Sequence, residues 1–456
     1  MCGIMGWVST TETIQKEFIQ AATSTLEHRG PDDFGYFSNE KNTVHFGHRR
    51  LSIIDLSSAS SQPFYSKCGR YVMVYNGEIY NFREVAQQLN LELSTQGDTE
   101  VILEAFIKKG VQSFELLNGM FAFAIYDTQE EKIYLCRDRV GIKPLFYYFH
   151  ENKFVFASEI KAIKKIPGLK LDINFESFAG FLHVGFIPAP QTAYKHIYKF
   201  PAGNYLILDT KNISSNKLSF EKFWNLYDNL LPETYKNEAA VEKKLEELLI
   251  KSIESQIISD VPLGSFLSGG IDSSLVSALT SKVKPGKLKT FSIGYQNSKF
   301  DESKYAENVA KTLGTEHYAY KMTEQDLEEI LLDIITSFDE PFSDSSAFPT
   351  MLVSKFARKH VTVSLSGDGG DELFMGYGAY RWADRLENPF IKNSRKPLFW
   401  SSQFLSNKFK RAGWLLNYKD YQNITSHIFS QEQYLFGEKD LKHYLINETF
   451  DFHNLN

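Results

Sequence analysis

A thiol one residue from the start of the chain, followed far downstream by two glycine loops, gives the sequence its chemistry. Cys2 follows the initiator Met1, so removal of that methionine would leave a thiol and a free α-amino group on one residue. An α-amino group titrates at about 7.7 to 8.0, close enough to neutrality to act as general base for its own side chain, directly or through a water. The opening Cys2-Gly3-Ile4-Met5-Gly6 keeps the backbone around the thiol uncrowded. A lone cysteine is more often a small buried hydrophobe, so the thiol needs support from elsewhere. In Val74-Tyr-Asn-Gly-Glu-Ile-Tyr-Asn81, the Asn76 side-chain amide and the Gly77 N–H supply two donors for the oxyanion of a tetrahedral intermediate. Asn-Gly between strands is also the strongest short hairpin signal, and taken singly it reads as a turn. Arg50, in His48-Arg-Arg-Leu-Ser-Ile53, can meet an amino acid's carboxylate, and Asp98, in Gly97-Asp-Thr-Glu100, its ammonium. Otherwise both are surface charges, or Asp98 caps a helix over Thr99 to Lys108.

The first glycine loop, Leu267-Ser268-Gly269-Gly270-Ile271-Asp272-Ser273-Ser274, follows an apolar strand and opens a helix, where backbone N–H groups and the helix dipole can face a phosphate. It has no lysine behind the glycines. Phosphates would be met by backbone and hydroxyl donors, with Asp272 free to hold a divalent ion. A tight turn with an ordinary Asp/Ser cap is the alternative. The second loop, Ser366-Gly-Asp-Gly-Gly-Asp-Glu372, ends the strand Val361 to Leu365 and carries three carboxylates. Such a concentration of charge repels itself unless a cation is present, and Mg²⁺ shared with phosphate oxygens is its natural partner. A solvated acidic turn has no use for that run of glycines.

The elements that must position these residues fall into two styles. Up to about residue 208 the apolar runs are short and β-branched or aromatic: Ile4 to Val8, Tyr71 to Tyr75, Phe121 to Tyr126, Ile133 to Leu135 and Phe154 to Phe156. With helical spacing at Phe82 to Leu89 and Thr99 to Lys108, this half predicts a layered α+β domain with mostly antiparallel sheet. Asp209 to Glu238, with Lys211 to Lys217 and Pro232, is polar and aperiodic, as a linker would be. From Ala239 a helix to about Ile258, a strand Leu263 to Leu267, a helix from Ser273 and a strand Thr290 to Gly294 predict an α/β domain. Its parallel sheet is flanked by helices, with its ligand site at the carboxyl ends of the strands. Beyond about Tyr380 the sequence offers aromatic helical stretches without a motif.

A chain of 456 residues with 43% hydrophobic side chains can bury large cores, which excludes wholesale disorder. Fifty basic against 56 acidic side chains leave a net charge of −6, which gives no electrostatic footprint for nucleic acid. Cysteines stand only at 2, 68 and 136, too sparse for a disulfide framework. Neither HExxH nor CxxC occurs, so any metal would sit on carboxylates. With no signal peptide and no apolar run long enough to span a bilayer, the expectation is a cytoplasmic enzyme with small-molecule substrates and no membrane or nucleic-acid partner, with pairing as a homodimer left open. The N-x-S/T triplets at Asn212, Asn423 and Asn447 are then chance matches.

The two loops, with Thr290-Phe-Ser-Ile-Gly294 between them, resemble the synthetase domain of glutamine-hydrolysing asparagine synthetases. The Cys2, Arg50, Asn76 and Asp98 segments, with His28-Arg-Gly-Pro-Asp32, Arg137-Asp-Arg-Val-Gly-Ile-Lys-Pro-Leu145 and Ala157-Ser-Glu-Ile-Lys-Ala162, resemble the class II glutamine amidotransferase domain fused to it. The resemblance runs from residue 2 to about 380. It implies an N-terminal-nucleophile αββα domain over 1–208, a linker over 209–238 and an ATP-pyrophosphatase-like domain over 239–456. It makes Cys2 the nucleophile, Asn76 and Gly77 the oxyanion hole, and Arg50, Gly77, Glu78 and Asp98 the glutamine site. For ATP and its Mg²⁺ it implies Ser268, Gly269, Gly270, Asp272 and Ser273 at the pyrophosphate, and Leu267, Ile293, Ser366 and Gly367 lining the nucleotide pocket. Asp368 stands where the family places a carboxylate important for forming the adenylate, and Asp371 joins Asp272 as a metal ligand.

The implied reaction releases ammonia from glutamine and passes it to an acyl-adenylate, turning aspartate into asparagine with AMP and pyrophosphate as products. Three departures qualify it. The acceptor segment Asp339 to Ala347 is also similar to that of amidotransferases acting on sugar uronates. Met375, in Phe374-Met-Gly-Tyr377, stands where many relatives carry a second glycine. The chain stops at Asn456, before an Arg-x-Pro-Phe-Leu-Asp segment usual among relatives, so a glutaminase or a regulatory binding chain stays open. Transfer RNA thiolation, which shares the first loop, is disfavoured by the charge balance and by Cys136 being the last cysteine.

Overall fold

A computed structural model describes residues 1–213, 218–230, 234–235, 237–284, 286–296 and 301–418, together with 424, 427–428, 435–436 and 441. Pro232, Ser214 to Lys217, and the asparagines of the triplets at Asn423 and Asn447 lie outside the described residues.

The amino-terminal region is built on two six-stranded antiparallel sheets. Its strands are β1 (Gly3–Ser9), β2 (Asp33–Ser38), β3 (Val44–Arg50), β4 (Phe64–Tyr65), β5 (Tyr71–Ile79), β6 (Gly119–Asp127), β7 (Lys132–Arg137), β8 (Phe146–His150), β9 (Lys153–Ala157), β10 (Ile197–Lys199), β11 (Asn204–Asp209) and β12 (Phe220–Lys222). One sheet runs β10-β8-β9-β1-β3-β2 and the other β12-β11-β7-β6-β5-β4. The two-residue period of a strand explains how they stack. Ile4 and Val8 of β1 face Val74, Ala122 and Leu135 in a core between the sheets. Met5 and Trp7, on the opposite face, pack on α1 (Lys16–Ser24) and α4 (Ile160–Ile163). Tyr75, Phe121 and Phe123 face outward from the second sheet onto α2 (Phe82–Gln88) and α3 (Asp98–Lys109). Both faces of each sheet are apolar because both are covered, which is the expected αββα layering.

Two expectations meet local differences. Asn76-Gly77 is no hairpin turn: both residues lie inside β5, opposite Ala122 and Phe121 of β6. Gly77 is required by close approach instead, because a Cβ there would lie 2.2 Å from the Met120 carbonyl oxygen. The polar stretch 209–238 contains β12, which pairs with β11, and its Phe223 is buried in the helix-side core. A three-residue strand is too short for its alternation to stand out from polar surroundings.

After α5 (Phe175–Val184) and α6 (Glu238–Gln256) comes a four-stranded parallel sheet of β13 (Leu263–Phe266), β14 (Lys289–Tyr295), β15 (Glu316–Met322) and β16 (Val363–Leu365), in the order β15-β14-β13-β16. Helices α7 (Ile271–Val283), α8 (Ser303–Leu313), α9 (Glu324–Ser337) and α10 (Ala347–Ala357) lie between the strands in sequence. The chain first moves outward from β13 and then returns to its other side at β16. That reversal is a topological switch point, and both glycine loops leave the carboxyl ends of the strands that flank it.

Two compact units result. The first holds residues 1–172, 194–326 and 351–366, so it contains all four sheet strands just named as well as the antiparallel layers. The second holds 173–193, 327–350 and 367–456, with α11 (Gly370–Leu373), α12 (Gly378–Glu387), α13 (Pro389–Ser402) and α14 (Asn407–Trp414). Within it the acceptor segment expected at 339–347 is tied to the turn after α5: Ser343 N–H donates to the Gly185 carbonyl at 2.8 Å, and Ala193 N–H to Glu340 at 2.8 Å.

Candidate active site

Because β1 is an inner strand held between β9 and β3, the residue that precedes it is placed on a rigid edge. Cys2 stands there, in peptide linkage to Met1, with its thiol donating to the Leu51 carbonyl at 3.7 Å and accepting from the Leu51 N–H at 3.4 Å. Burial pushes the thiol's pKa up, so it is neutral and needs a base. Burial acts the opposite way on the Met1 amino group, which falls to about 6 in the chain that still carries Met1.

One pocket gathers Cys2, Arg50, Asn76, Gly77, Glu78 and Asp98, with Met1, Tyr75, Gln62 and Lys143 also in its wall. Asn76 is fully buried and neither its amide nitrogen nor its amide oxygen has a hydrogen-bond partner among the described residues. Leaving such a group unpaired costs about 1–3 kcal/mol, a cost a fold retains where a ligand supplies the partner.

Arg50 is 6% exposed and its guanidinium donates to the main-chain carbonyls of Ser57 (2.9 Å) and Asp55. It makes no ion pair with a carboxylate among the described residues, so its charge is open to an anion. Asp98 follows the cap residue Gly97 and is not itself the helix cap. Its carboxylate accepts from the Tyr75 hydroxyl at 2.7 Å and the Ile79 N–H at 2.9 Å. Burial raises its pKa, with those bonds opposing. Burial, reinforced by Asp98, lifts Glu78 to about 7, while burial lowers Lys143 to about 8. The pocket wall thus carries both acidic groups, Glu78 and Asp98, and basic ones, Arg50 and Lys143.

At the second candidate site, Leu267 is buried and its N–H donates to the Phe291 carbonyl at 2.8 Å. Ser268 and Ser273 share a 2.8 Å hydroxyl contact that closes the loop, and the Gly270 N–H donates to Ser268 Oγ at 3.2 Å. Gly269 has φ +86°, and a Cβ there would lie 2.6 Å from the Ala306 nitrogen. Gly270 caps α7 without a side-chain bond, leaving the helix start to backbone donors. The Asp272 carboxylate, in the first turn of α7, has no hydrogen bond or ion pair among the described residues. Ile293 is half-buried on β14 and Ser366 directly follows β16. Gly367, Asp368 and Asp371 belong to the second unit, where both carboxylates are exposed. Met375 adopts φ +59°, the left-handed conformation that glycine takes most easily. No cluster of three or more metal-ligating side chains occurs among the described residues.

Residues 1–224 match the glutamine amidotransferase domain family and residues 244–453 the asparagine synthase family. A putative glutamine-hydrolysing asparagine synthetase 2 of Methanocaldococcus jannaschii is 40% identical over 87% of this chain and 79% of its own length. The chain belongs to the glutamine-hydrolysing asparagine synthetase family. Asparagine synthetase 1 of Bacillus subtilis is 35% identical over 84% of this chain, which spans 60% of that relative's length. Amidase chry2 of Gibberella zeae is 29% identical over 82% of this chain and 57% of its own. As a family member the chain is a glutamine-dependent amidotransferase of the ligase type. Among the described residues no helix is long and apolar enough to cross a membrane.

Sequence reasoning left several residues in or beside the pocket without roles. Arg29 Nε donates to the Cys2 carbonyl at 2.9 Å and Nη1 to Glu159 at 2.8 Å. Gln62 accepts from the Tyr75 N–H at 2.7 Å, and Lys143 Nζ lies 2.9 Å from Met1 Sδ. Arg29, Lys143 and Glu159 all fall inside motifs that carry the family resemblance, which was the signal available for them.

Proposed function

We propose that the chain hydrolyses glutamine at Cys2 and uses the ammonia to amidate a carboxylate activated by ATP, with aspartate as acceptor and asparagine, AMP and pyrophosphate as products. The unpartnered amide of Asn76, buried in the pocket that holds Cys2, carries this reading. Once Met1 is removed, the Cys2 amine takes the thiol proton and sulfur bonds to the glutamine amide carbon. Asn76 and the Gly77 N–H receive the oxyanion charge. The carbon–nitrogen bond then breaks, the proton leaves with ammonia, and water converts the thioester to glutamate. Arg50 holds the substrate carboxylate, and Asp98 and Glu78 its ammonium.

At the second site the acceptor carboxylate attacks the α-phosphorus and pyrophosphate departs. Ammonia then takes the acyl carbon, and AMP leaves. Gly269 and Gly270 bring the backbone against the phosphates, Ser268 and Ser273 supply hydroxyls, and Leu267, Ile293, Ser366 and Gly367 line the nucleotide. The free carboxylate of Asp272, with no cationic side chain in its loop, fits Mg²⁺, and Asp371 is the second ligand in this reading. Bound there, Mg²⁺ would neutralise phosphate charge. Asp368 stands beside the forming adenylate.

The test is glutamate and pyrophosphate release with glutamine, ATP and aspartate, run in competition with uronic acids. Cys2→Ala should abolish glutamine use and keep turnover with ammonium salts. A relative bearing the name of an amidase favours a second reading in which the same two half-reactions serve another carboxylate. Pyrophosphate released with a uronate but not with aspartate would select it. Glutamate without pyrophosphate from any acceptor would leave a glutaminase alone.

A further inference from the structure

Arg50 is held entirely by main-chain acceptors of the loop that follows it, so the placement of that loop decides where the guanidinium points. We infer that Asp260 is a positioning residue for glutamine, acting on Arg50 through the backbone of Ile53 to Ser57. The inference rests on the reading that the Cys2 pocket binds glutamine.

The loop is braced in two ways. Locally, Asp55 takes φ +53° and its carboxylate collects the Ser57 N–H (3.1 Å), the Ser57 hydroxyl (2.6 Å), the Ser60 hydroxyl (2.8 Å) and the Gln96 N–H (3.2 Å). These bonds fix its shape. Its position depends on a residue about 200 places further along the chain. Asp55 N–H donates to Asp260 Oδ2 at 2.8 Å, and Asp260 N–H donates back to the Ile53 carbonyl at 2.9 Å. This reciprocal pair clasps the loop from both sides of Ile54. Two residues earlier, Ile258 packs with Ile54 against the core cluster that contains Tyr75 and Ile79.

The clasp also reaches the second site by chain connectivity. Pro262 accepts from the Thr362 N–H at 2.9 Å, which ties the segment to the strand before Ser366. Leu263 then opens β13, whose end is the Ser268 to Ser273 loop. Ile53 and Ile54 line the glutamine pocket, while Arg50 takes its bonds from Asp55 and Ser57. A side chain from the second half of the sequence thus sets a binding group in the first. Asp260 is exposed, so truncating it leaves no cavity and removes only the bond.

Steady-state glutaminase assays on the full chain test the inference with wild type, Asp260→Ala and Asp260→Asn. Asparagine keeps a carbonyl oxygen for the Asp55 amide, and alanine does not. Alanine should raise KM for glutamine about tenfold with kcat within about twofold, as expected when an interaction common to bound substrate and transition state is lost. Asparagine should restore KM to within about threefold of wild type. A wild-type KM in the alanine variant, a fall in kcat at unchanged KM, or equal impairment of both variants would overturn the assignment. Absence of glutaminase in the wild type would instead remove the reading beneath it.

Discussion

Arg29 and Cys2 are joined by a hydrogen bond from the guanidinium Nε to the main-chain carbonyl at 2.9 Å, which fixes the peptide directly after the proposed nucleophile. Arg29 is itself held by Glu159. Burial alone would raise the Glu159 pKa, but bonds from His28, Arg29 and Lys161 outweigh it and bring the carboxyl to about 2. The ionised state therefore persists across the working pH range. A misplacement of the thiol by about 1 Å costs on the order of 10² in rate. Arg29→Lys offers a point charge without the planar fork and should lower glutamine-dependent kcat by about that factor. Ammonium-dependent turnover should be preserved, and steady-state rates with each nitrogen source check this.

Asn76→Ala separates activity from stability. In the proposed function Asn76 is one of two oxyanion donors, and loss of one such donor lowers kcat by about 10² to 10³. The same substitution removes a buried amide that has no partner in the folded chain. Asparagine at this position costs about 1–3 kcal/mol when unpaired, against the small cavity that alanine creates. We expect the inactive variant to be as stable as wild type or more so, which paired denaturant melts and glutaminase assays can read.

The antiparallel layers were legible because β1, β5 and β6 are short apolar runs whose two faces both had to be covered. Cys2, Arg50, Asn76, Gly77, Glu78 and Asp98 could be nominated as a set, and they line one pocket. What could not be read was how each is held. The Arg29 bond to Cys2 spans 27 residues, and the Asp260 bond to Asp55 spans 205. Contacts of that range leave no local periodicity. Asn76-Gly77 was ambiguous for a related reason. The same dipeptide suits a hairpin or a strand that another backbone approaches closely, and only the pairing with β6 decides between them.

Glu78 should make the protein less stable as pH rises. Its carboxyl ordinarily titrates at 4.5 and stands at about 7 in the fold, first through burial and then through Asp98. Between those values the native state holds more protons than the unfolded chain, so stability falls as pH climbs from about 4.5 to about 7. Its contribution is fully present below 4.5 and lost above 7. Glu78→Gln should therefore be more stable than wild type at pH 8, by on the order of 1–3 kcal/mol, with the difference vanishing toward pH 4. In the proposed function glutamine binding should narrow that gap, because the substrate ammonium would favour the ionised carboxylate. Thermal melts of both proteins at pH 4 and pH 8, with and without glutamine, measure each effect.

Gly269 and Gly270 stand side by side in the loop after β13, yet they should answer differently to the same change. Gly269 has φ +86°, and an added Cβ would meet the Ala306 nitrogen and Tyr305 Cβ at 2.6 Å. Both neighbours belong to the start of α8, so relief requires moving the helix. Gly270 has φ −69°, which any residue adopts, and its added Cβ would meet only the Ser268 hydroxyl, at 3.3 Å. Left-handed backbone at a non-glycine residue costs about 1–3 kcal/mol before any clash is counted. Gly269→Ala should therefore be less stable than Gly270→Ala by at least about that amount. Equal melting of the two variants would mean that α8 yields freely and that the close approach at Gly269 is not fixed by packing. In the proposed function Gly269→Ala should also weaken pyrophosphate release more severely, because the carbonyls and amides that follow it would leave their places around the phosphates.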